Sequence, residues 1–394
     1  MKSNARSRIV YIDWLRGLAC VVMFQTHCYD SWLGGAARRS TFMRYSQIGG
    51  TLPAPLFLFL AGIALAFTTD RMRQKGMAAN AIARTSIRRG GEIFLLALLF
   101  RVQEYVLSFF HSPWTDLLRV DILNVIAVTL VLMAIVCWIV GRIASGAPIS
   151  SASEGAGAAS ANDAALRVWN IAAAIGAAVA IALATPPLWT TARPSWLPWF
   201  LESYVNGVHI FGVPQVWLFP IFPWAAFGFA GLAAGFLLSS ANARQRDASA
   251  VTWLGFLGVA LFAMGWWFDS LPARWYAVYD FWHTSPNWFL MRVGVMLVIV
   301  FLGYTWCRWG AGEIGFSPLV KMGQTSLIVY WVHIEFVYGD LSIMPKHGVG
   351  IGRATLGLAI IFVAMTLLAM ARTRWKGRGA EMMAWFRRPA AKPS

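Results

Sequence analysis

A histidine and an arginine lie at a spacing that could make them parts of one reaction. Ten residues separate Arg16 from His27 in a mostly apolar run. Eleven steps along an α-helix complete three turns plus about 20°, so the two side chains share a face and lie about 16 Å apart along the axis. A neutral imidazole can deprotonate a hydroxyl or an amine, or accept an acyl group itself. A guanidinium can bind phosphate, and Asp13, one turn earlier, can hold Arg16 in place.

Two further segments carry polar residues where the chain is otherwise apolar. Arg101 and Glu104 are spaced i,i+3 and are interpreted first as a structural ion pair. Ser326, Tyr330 and His333 are spaced i, i+4, i+7, so one stripe of a helix would carry them. An ionisable group at membrane depth usually faces a cavity or a partner, which favours a functional role. The alternative for the first helix is that its arginine reaches the headgroups while its histidine lies in the opposite interface.

The elements that must position these residues are membrane-spanning helices. Hydrophobic residues make up 58% of the chain and charged residues only 13%, which is far from the composition of a water-soluble domain. The apolar runs are long enough to cross a hydrocarbon core of about 30 Å and lack the alternation of a β-barrel strand. The sequence therefore predicts an all-α, polytopic transmembrane helix bundle of about ten helices. The predicted spans are residues 9–28, 53–69, 90–110, 120–141, 168–188, 217–239, 251–268, 288–306, 322–338 and 355–371.

The orientation of the bundle follows from the distribution of Lys and Arg. With the N-terminus inside, the predicted inner segments hold 22 of the 33 basic residues and the outer loops hold 8. Because basic residues accumulate on the cytoplasmic side, both termini are predicted to be cytoplasmic. This bias, together with attraction to the lipid bilayer, accounts for the net charge of +16 without a nucleic-acid partner.

The whole chain, residues 1–394, is predicted to be a single integral-membrane domain. Residues 142–167, rich in Ala, Ser and Gly, are predicted to be a flexible cytoplasmic linker, and residues 372–394 a basic cytoplasmic tail. The four cysteines lack the spacing of metal ligands. Neither a disulfide framework nor a metal site is therefore expected.

Six short motifs follow one another between residues 8 and 340. They are Asp13-x-x-Arg16-Gly17, Arg16-x10-His27, the segment from Pro55 to Gly62, Asp121-Ile-Leu-Asn124, Phe222-Pro-Trp224 and Ser326-Leu-Ile-Val-Tyr330-x-x-His333. Together they resemble the heparan-alpha-glucosaminide N-acetyltransferase-like membrane proteins, within the wider acyltransferase-3 superfamily. In the glucosaminide enzymes the acting histidine lies in the loop after the first helix, whereas His27 has the acyltransferase-3 spacing.

The resemblance implies an enzyme that moves an acyl group, expected to be acetyl, from cytosolic acyl-CoA to a carbohydrate acceptor on the opposite membrane face. It implies that Arg16, with Asp13, binds the donor and that His27 performs the transfer, and a thioester donor needs no metal. It also implies a bacterial cytoplasmic (inner) membrane as the location. The motifs and the intramembrane polar groups give six further candidates for lining the site: Tyr330, His333, Asp121, Asn124, Arg101 and Glu104.

The alternative function is that of a proton-coupled secondary transporter or another multi-pass carrier. Ten helices with buried Arg, Glu and His also describe such a protein. The sequence carries no clear inverted repeat, and an acyl donor entering from inside explains the shared face of Arg16 and His27 better. Loss of acyl transfer on substitution of His27 would separate the two functions.

Overall fold

Helices dominate the computed structural model, which describes residues 4–109, 111–146, 156–209, 213–214, 219–240, 247–311 and 317–386. Within this part of the chain, the only paired strands are two residues long, β1 (Val208–His209) and β2 (Val213–Pro214). The all-α fold class is therefore confirmed. The helices are α1 (Asn4–Trp32), α2 (Gly35–Arg38), α3 (Thr41–Gly50), α4 (Pro53–Gln74), α5 (Ala79–Leu107), α6 (Ile122–Gly146), α7 (Ala156–Trp189), α8 (Trp199–Asn206), α9 (Ile221–Ser239), α10 (Asp247–Ser270), α11 (Pro286–Trp306), α12 (Pro318–Gln324), α13 (Ser326–Val337) and α14 (Ile351–Phe386).

Each of the ten predicted spans overlaps helical structure. Seven segments of the described chain are long and apolar enough to cross a membrane. Two other long helices, α1 and α5, carry polar residues that lower their apolarity, including Arg16 and His27 in α1 and Arg101 in α5. The remaining predicted span corresponds to the shorter apolar helix Ser326–Val337.

The ninth predicted span, residues 322–338, is not one continuous helix. The first helix there, α12, ends at Thr325, where φ is −124° and ψ is 20°, and α13 begins at Ser326. The start of α12 is fixed locally, because the Ser317 hydroxyl accepts a hydrogen bond from the backbone N–H of Val320. The stripe of Ser326, Tyr330 and His333 still lies on one helix, but Gln324 lies on the preceding one.

The chain forms two compact units, Met1–Pro53 with Gly303–Ser394, and Ala54–Leu302. In the first unit, α1 and α12 pack so closely that their backbones are in contact at two glycines. A Cβ atom at Gly17 would overlap the carbonyl of Leu319, and one at Gly323 would overlap the carbonyl of Asp13. Because the residue numbers run in opposite directions along the contact, α1 and α12 are antiparallel.

The break at Thr325 turns the chain back, so that α13 runs parallel to α1. The Ser31 hydroxyl, near the end of α1, donates to the carbonyl of Val337, at the end of α13, over 2.7 Å. The loop after α13 then crosses the end of α1, where the N–H groups of His347 and Val349 donate to the carbonyls of Ser31 and Trp32 at 2.8 and 3.0 Å. These bonds fix α13 beside the last three turns of α1.

Close helix packing at glycine also organises the second unit. A Cβ atom at Gly62 of α4 would overlap the carbonyl of Gly228 of α9, and one at Gly231 would overlap the carbonyl of Phe59. The predicted linker is helical at both ends, since α6 extends to Gly146 and α7 begins with residue 156. Residues 147–155 of the linker and residues 387–394 of the predicted tail lie outside the described residues.

Candidate active site

Two histidines meet between α1 and α13. The Nδ1 atom of His27 lies 2.9 Å from the Nε2 atom of His333, and the two rings are nearly parallel, with 5° between their planes. His333 is fully buried, whereas His27 is half-buried. The structure thus joins two residues that the sequence placed on separate helices as candidates for one site.

The protonation pattern of this pair follows from its hydrogen-bond partners. The Nδ1 atom of His333 lies 3.1 Å from the carbonyl oxygen of Val329, which can only accept, so this nitrogen carries the proton. In neutral His333 the Nε2 atom is therefore the acceptor. The proton of the shared bond must then sit on Nδ1 of His27, which leaves the lone pair of neutral His27 on its Nε2 atom.

Aromatic rings surround the pair within the first unit. The Phe24 ring lies 4.9 Å from the His333 ring, and the Tyr330 ring lies 5.7 Å from it. The Tyr338 ring meets His27 edge to face, with 5.3 Å between the ring centroids. Tyr330, predicted to line the site, therefore contacts the pair through His333.

A polar network begins one turn beyond His27. The Tyr338 hydroxyl donates to Oδ2 of Asp30 at 2.9 Å, and Arg38 donates to Oδ1 of the same carboxylate at 2.8 Å. Arg38 also donates to Nδ1 of His347 at 2.6 Å. The side chains of Asp30 and Arg38 are 41% and 35% exposed, so solvent reaches this end of the site.

The other end of the site lies toward the start of α1. The Arg16 guanidinium lies 3.6 Å from the Asp13 carboxylate, as the i,i+3 spacing predicts, and its side chain is 28% exposed. Gln324, at the end of α12, donates to the other oxygen of Asp13 at 3.4 Å. The close approach of α1 and α12 thus brings a third polar side chain to this ion pair.

The remaining candidates lie in the second unit and contact one another. Arg101 pairs with Glu104, one turn later on α5, and with Asp121 at 2.7 Å. The side-chain oxygen of Asn124 accepts from the N–H of Asp121, and its amide donates to the Tyr204 hydroxyl at 3.2 Å. The Asp121 carboxylate also accepts from the backbone N–H of Ile122 at 2.6 Å. Arg101 and Glu104 thus form the ion pair that their i,i+3 spacing predicted.

The sequence did not identify the polar residues that lie beyond His27, at the C-terminal end of α1. Asp30 lies three residues after His27, and this i,i+3 spacing was the available signal. Tyr338, Arg38 and His347 come from separate loops and short helices, so their meeting depends on the chain reversal at Thr325. Among the described residues, no group of three or more His, Cys, Asp or Glu could hold a metal ion.

Comparison with known proteins places part of this chain in a family. No curated protein matches it. Residues 8–150, which include α1 from Arg8 onward and the Asp121–Asn124 motif, match the sequence model described as heparan-alpha-glucosaminide N-acetyltransferase, catalytic. The matched stretch contains four of the six motifs that carry the resemblance, including Arg16 and His27, whereas the motifs at Phe222–Trp224 and Ser326–His333 lie beyond it. On this match, residues 8–150 are similar to the catalytic region of the heparan-alpha-glucosaminide N-acetyltransferase family.

Proposed function

We propose that this protein transfers an acyl group, expected to be acetyl, from cytosolic acyl-CoA to a carbohydrate on the opposite face of the membrane. The observation that carries the proposal is the hydrogen bond from Nδ1 of His27 to the buried Nε2 of His333. This bond leaves a lone pair on Nε2 of His27, which is the group that acyl transfer needs. The match to an acetyltransferase family supports the same reaction class.

The lone pair of His27 can serve in either of two routes. As an acyl carrier, Nε2 forms a bond to the thioester carbon, the C–S bond breaks, and CoA leaves as a thiolate that takes the proton released by the acylated imidazolium. The acceptor then attacks the acyl-imidazole and expels the imidazole, which takes up the acceptor's proton. As a general base, Nε2 takes the acceptor's proton while the acceptor oxygen or nitrogen bonds to the acyl carbon, and passes that proton to the departing thiolate.

Arg16 is assigned to the donor. CoA carries phosphates, and a guanidinium can hold phosphate oxygens with two parallel hydrogen bonds. Asp13, itself held by Gln324, contacts this group and restricts its orientation, while the partial exposure of Arg16 leaves room for a ligand. Arg16 and His27 lie about 16 Å apart along α1, so one binds the donor's polar end while the other acts on its thioester.

The acceptor is assigned to the opposite end of α1. Asp30 and Arg38 are partly exposed and lie beside Tyr338, which contacts the His27 ring. A carboxylate and a guanidinium together can accept from and donate to the hydroxyls of a sugar. Charge bias in the sequence puts this end on the far side of the membrane.

The activity is tested with the purified full chain in lipid nanodiscs. The chain is incubated with isotope-labelled acetyl-CoA and a panel of hexoses and hexosamines, and CoA thiol release and acetylated sugar are measured. We expect both products from the wild type and neither from His27→Ala. His111→Ala is the matched control, because His111 is an exposed loop histidine in the second unit and its loss should leave the rate unchanged.

Two outcomes would contradict the proposal. Equal rates for His27→Ala and wild type would remove the histidine from the reaction. Movement of an intact solute across the membrane in liposomes, without acyl transfer to any acceptor, would favour the carrier function instead.

A further inference from the structure

A cleft opens at one end of the second unit, between α4, α5 and α6. The space that admits the centre of a water molecule is about 20 Å³, and the cleft is open to solvent. Its polar lining consists of Thr69, Arg73 and Ser86, and Trp138 and the first residue of α5, Ala79, form part of its wall. Five of its lining residues belong to the basic segment 70–90, which the charge bias of the sequence predicts to be cytoplasmic.

Arg73 lines this cleft without a directly bound anion. Within the described residues its guanidinium forms no hydrogen bond or ion pair. It lies over the Phe236 ring, 5.8 Å from the centroid, and the carboxylates of Asp70 and Asp163 interact with its charge only at longer range. The neighbouring carboxylate of Asp70 is bound to Arg167 and Gln74, each at 2.9 Å. A half-buried cation without a bound carboxylate is costly unless another anion reaches it.

The N-terminus of α5 adds donors at the same place. Its N-cap residue is Ala78, in extended conformation, and no side chain caps the helix. The N–H groups of Ala81 and Ile82 bond to the carbonyl of Ala78, whereas those of Ala79 and Asn80 have no acceptor among the described residues. A helix of 29 residues presents its positive dipole end here, which favours an anion.

Two hydroxyls complete the donor set. Thr69 and Ser86 are only 2% and 8% exposed, and both line the cleft. Neither hydroxyl has a hydrogen-bond partner in the part of the chain that the structure describes. Buried hydroxyls are almost always bonded, so both are available to a ligand. No carboxylate lines the cleft to repel an anion.

We propose that this cleft binds a phosphate group. A guanidinium, a helix N-terminus and two hydroxyls form a donor set with the positive charge and the several donors that a tetrahedral anion requires. The phosphate is carried either by an anionic lipid of the adjacent leaflet or by a soluble nucleotide, and the same donors serve both. The site uses none of the residues assigned to acyl transfer, so binding here can be tested whether or not the chain transfers acyl groups.

Three substitutions test the site. Each lowers the net charge of the protein by one. Arg73→Gln removes the guanidinium from the cleft. Ala78→Asp places a carboxylate at the N-cap of α5, where it satisfies the helix N-terminus and repels an anion while stabilising the helix. Arg71→Gln is the control, because Arg71 is exposed on the same helix and does not line the cleft.

Binding is measured on the full chain with two probes. Adenosine 3′,5′-bisphosphate is titrated into nanodiscs of phosphatidylcholine, and phosphatidic acid binding is counted by native mass spectrometry. In at least one arm we expect Arg73→Gln and Ala78→Asp to weaken binding by about tenfold or more, the usual effect of losing charge-assisted hydrogen bonds, and Arg71→Gln to weaken it by less than about threefold. The arm that responds identifies the source of the phosphate.

The melting temperature of each variant shows that it is folded. Ala78→Asp should melt at or above the wild-type temperature, so its loss of binding could not be attributed to unfolding. Equal weakening by all three substitutions would mean diffuse attraction to a basic surface and would overturn the proposal. Absence of wild-type binding in both arms would overturn it as well.

Discussion

His333 is the residue that determines where the proton of His27 lies. Because its Nδ1 donates to the Val329 carbonyl, its Nε2 must accept from His27. We expect His333→Phe to remove this acceptor and slow transfer by about ten- to a hundredfold, the cost of losing one buried hydrogen bond. His333→Gln can still accept from His27 and should retain more of the wild-type rate.

The same pair of variants can be followed by nitrogen NMR of labelled histidine. In the wild type the His27 signals should report a proton on Nδ1 and a lone pair on Nε2 at neutral pH. His333→Phe should shift the tautomer equilibrium, and His333→Gln should restore it. Unchanged His27 signals in both variants would show that His333 only packs against His27 and does not control its tautomer.

At the residue scale, spacing along one helix was sufficient to predict local pairs. Asp13 with Arg16 and the i,i+4,i+7 stripe on α13 follow from helix geometry alone. His27 and His333 are 306 residues apart, so their contact requires α1 and α13 to lie side by side. The polarity of both helices suggested that they share a site, but the periodicity of each helix could not predict which residues meet. The contact of Tyr338 with Asp30 was not identified because it depends on the chain reversal at Thr325, and that of Arg38 because it depends on the turn after α1.

The two glycine contacts between α1 and α12 hold α12 against the part of α1 that carries Asp13 and Arg16. We expect Gly17→Ala to destabilise the first unit and lower the melting temperature, because its Cβ atom would overlap the backbone of Leu319, which cannot move aside as a side chain can. Thermal unfolding in detergent measures the effect.

Gly176→Ala is the control for this substitution. A Cβ atom there meets nothing within 4 Å, and alanine is a better helix former than glycine by about 1 kcal/mol. Its melting temperature should equal or exceed that of the wild type. If the two variants melt alike, close packing of α1 on α12 is not what holds these helices together.

An ion pair joins α8 to the segment before it and should make stability depend on pH. The hydrogen bond from Arg193 lowers the pKa of the Glu202 carboxyl below its usual value, and Asn206 adds a second bond of 3.0 Å. A carboxyl with a lowered pKa stabilises the fold above its unfolded pKa of about 4.3, and this contribution is lost as the pH falls further.

The comparison of Glu202→Gln with the wild type measures this contribution. The wild type should have the higher melting temperature at pH 6 to 7, and the difference should shrink as the pH falls below about 4. Arg193→Gln should behave in the same way as Glu202→Gln. A difference that is constant with pH would show that the charge of Glu202 is not responsible.

At the element scale, the sequence predicted where helices occur but not where one of them breaks. The span 322–338 reads as one apolar run, yet Gly323 must pack against the backbone of α1 and Thr325 leaves the helical region. Nothing in local propensity requires a reversal there. The packing of Gly323 against the backbone of Asp13 explains the break at Thr325. A local sequence pattern cannot predict such a contact between distant residues.

At the scale of the whole molecule, the charge asymmetry gives the direction of the proposed reaction. Basic residues number 22 on the predicted inner side and 8 on the outer side. We expect a reporter that works only in the cytoplasm to be active when it is fused after Ser394. A reporter that works only on the far side of the membrane should be active when it is inserted between residues 28 and 52. A C-terminal reporter that is active only outside would reverse the assignment of donor and acceptor ends.

Composition and hydropathy predicted the class of the whole molecule because a bilayer leaves few alternatives to helices. Its division into two compact units left no signal in the sequence, since the first unit combines residues from both ends of the chain. Contacts across such a separation are not encoded in any local pattern.

The division of labour along α1 is the central claim, and it is tested by comparing binding with transfer in two variants. Arg16→Lys keeps the charge but loses the planar fork, so it should weaken binding of a non-hydrolysable acetyl-CoA analogue. His27→Ala should bind the analogue as the wild type does, while its single-turnover transfer falls by about 10²- to 10⁴-fold. Both are measured on the purified chain in nanodiscs, with His111→Ala as the control. Transfer by His27→Ala at the wild-type rate would contradict the account.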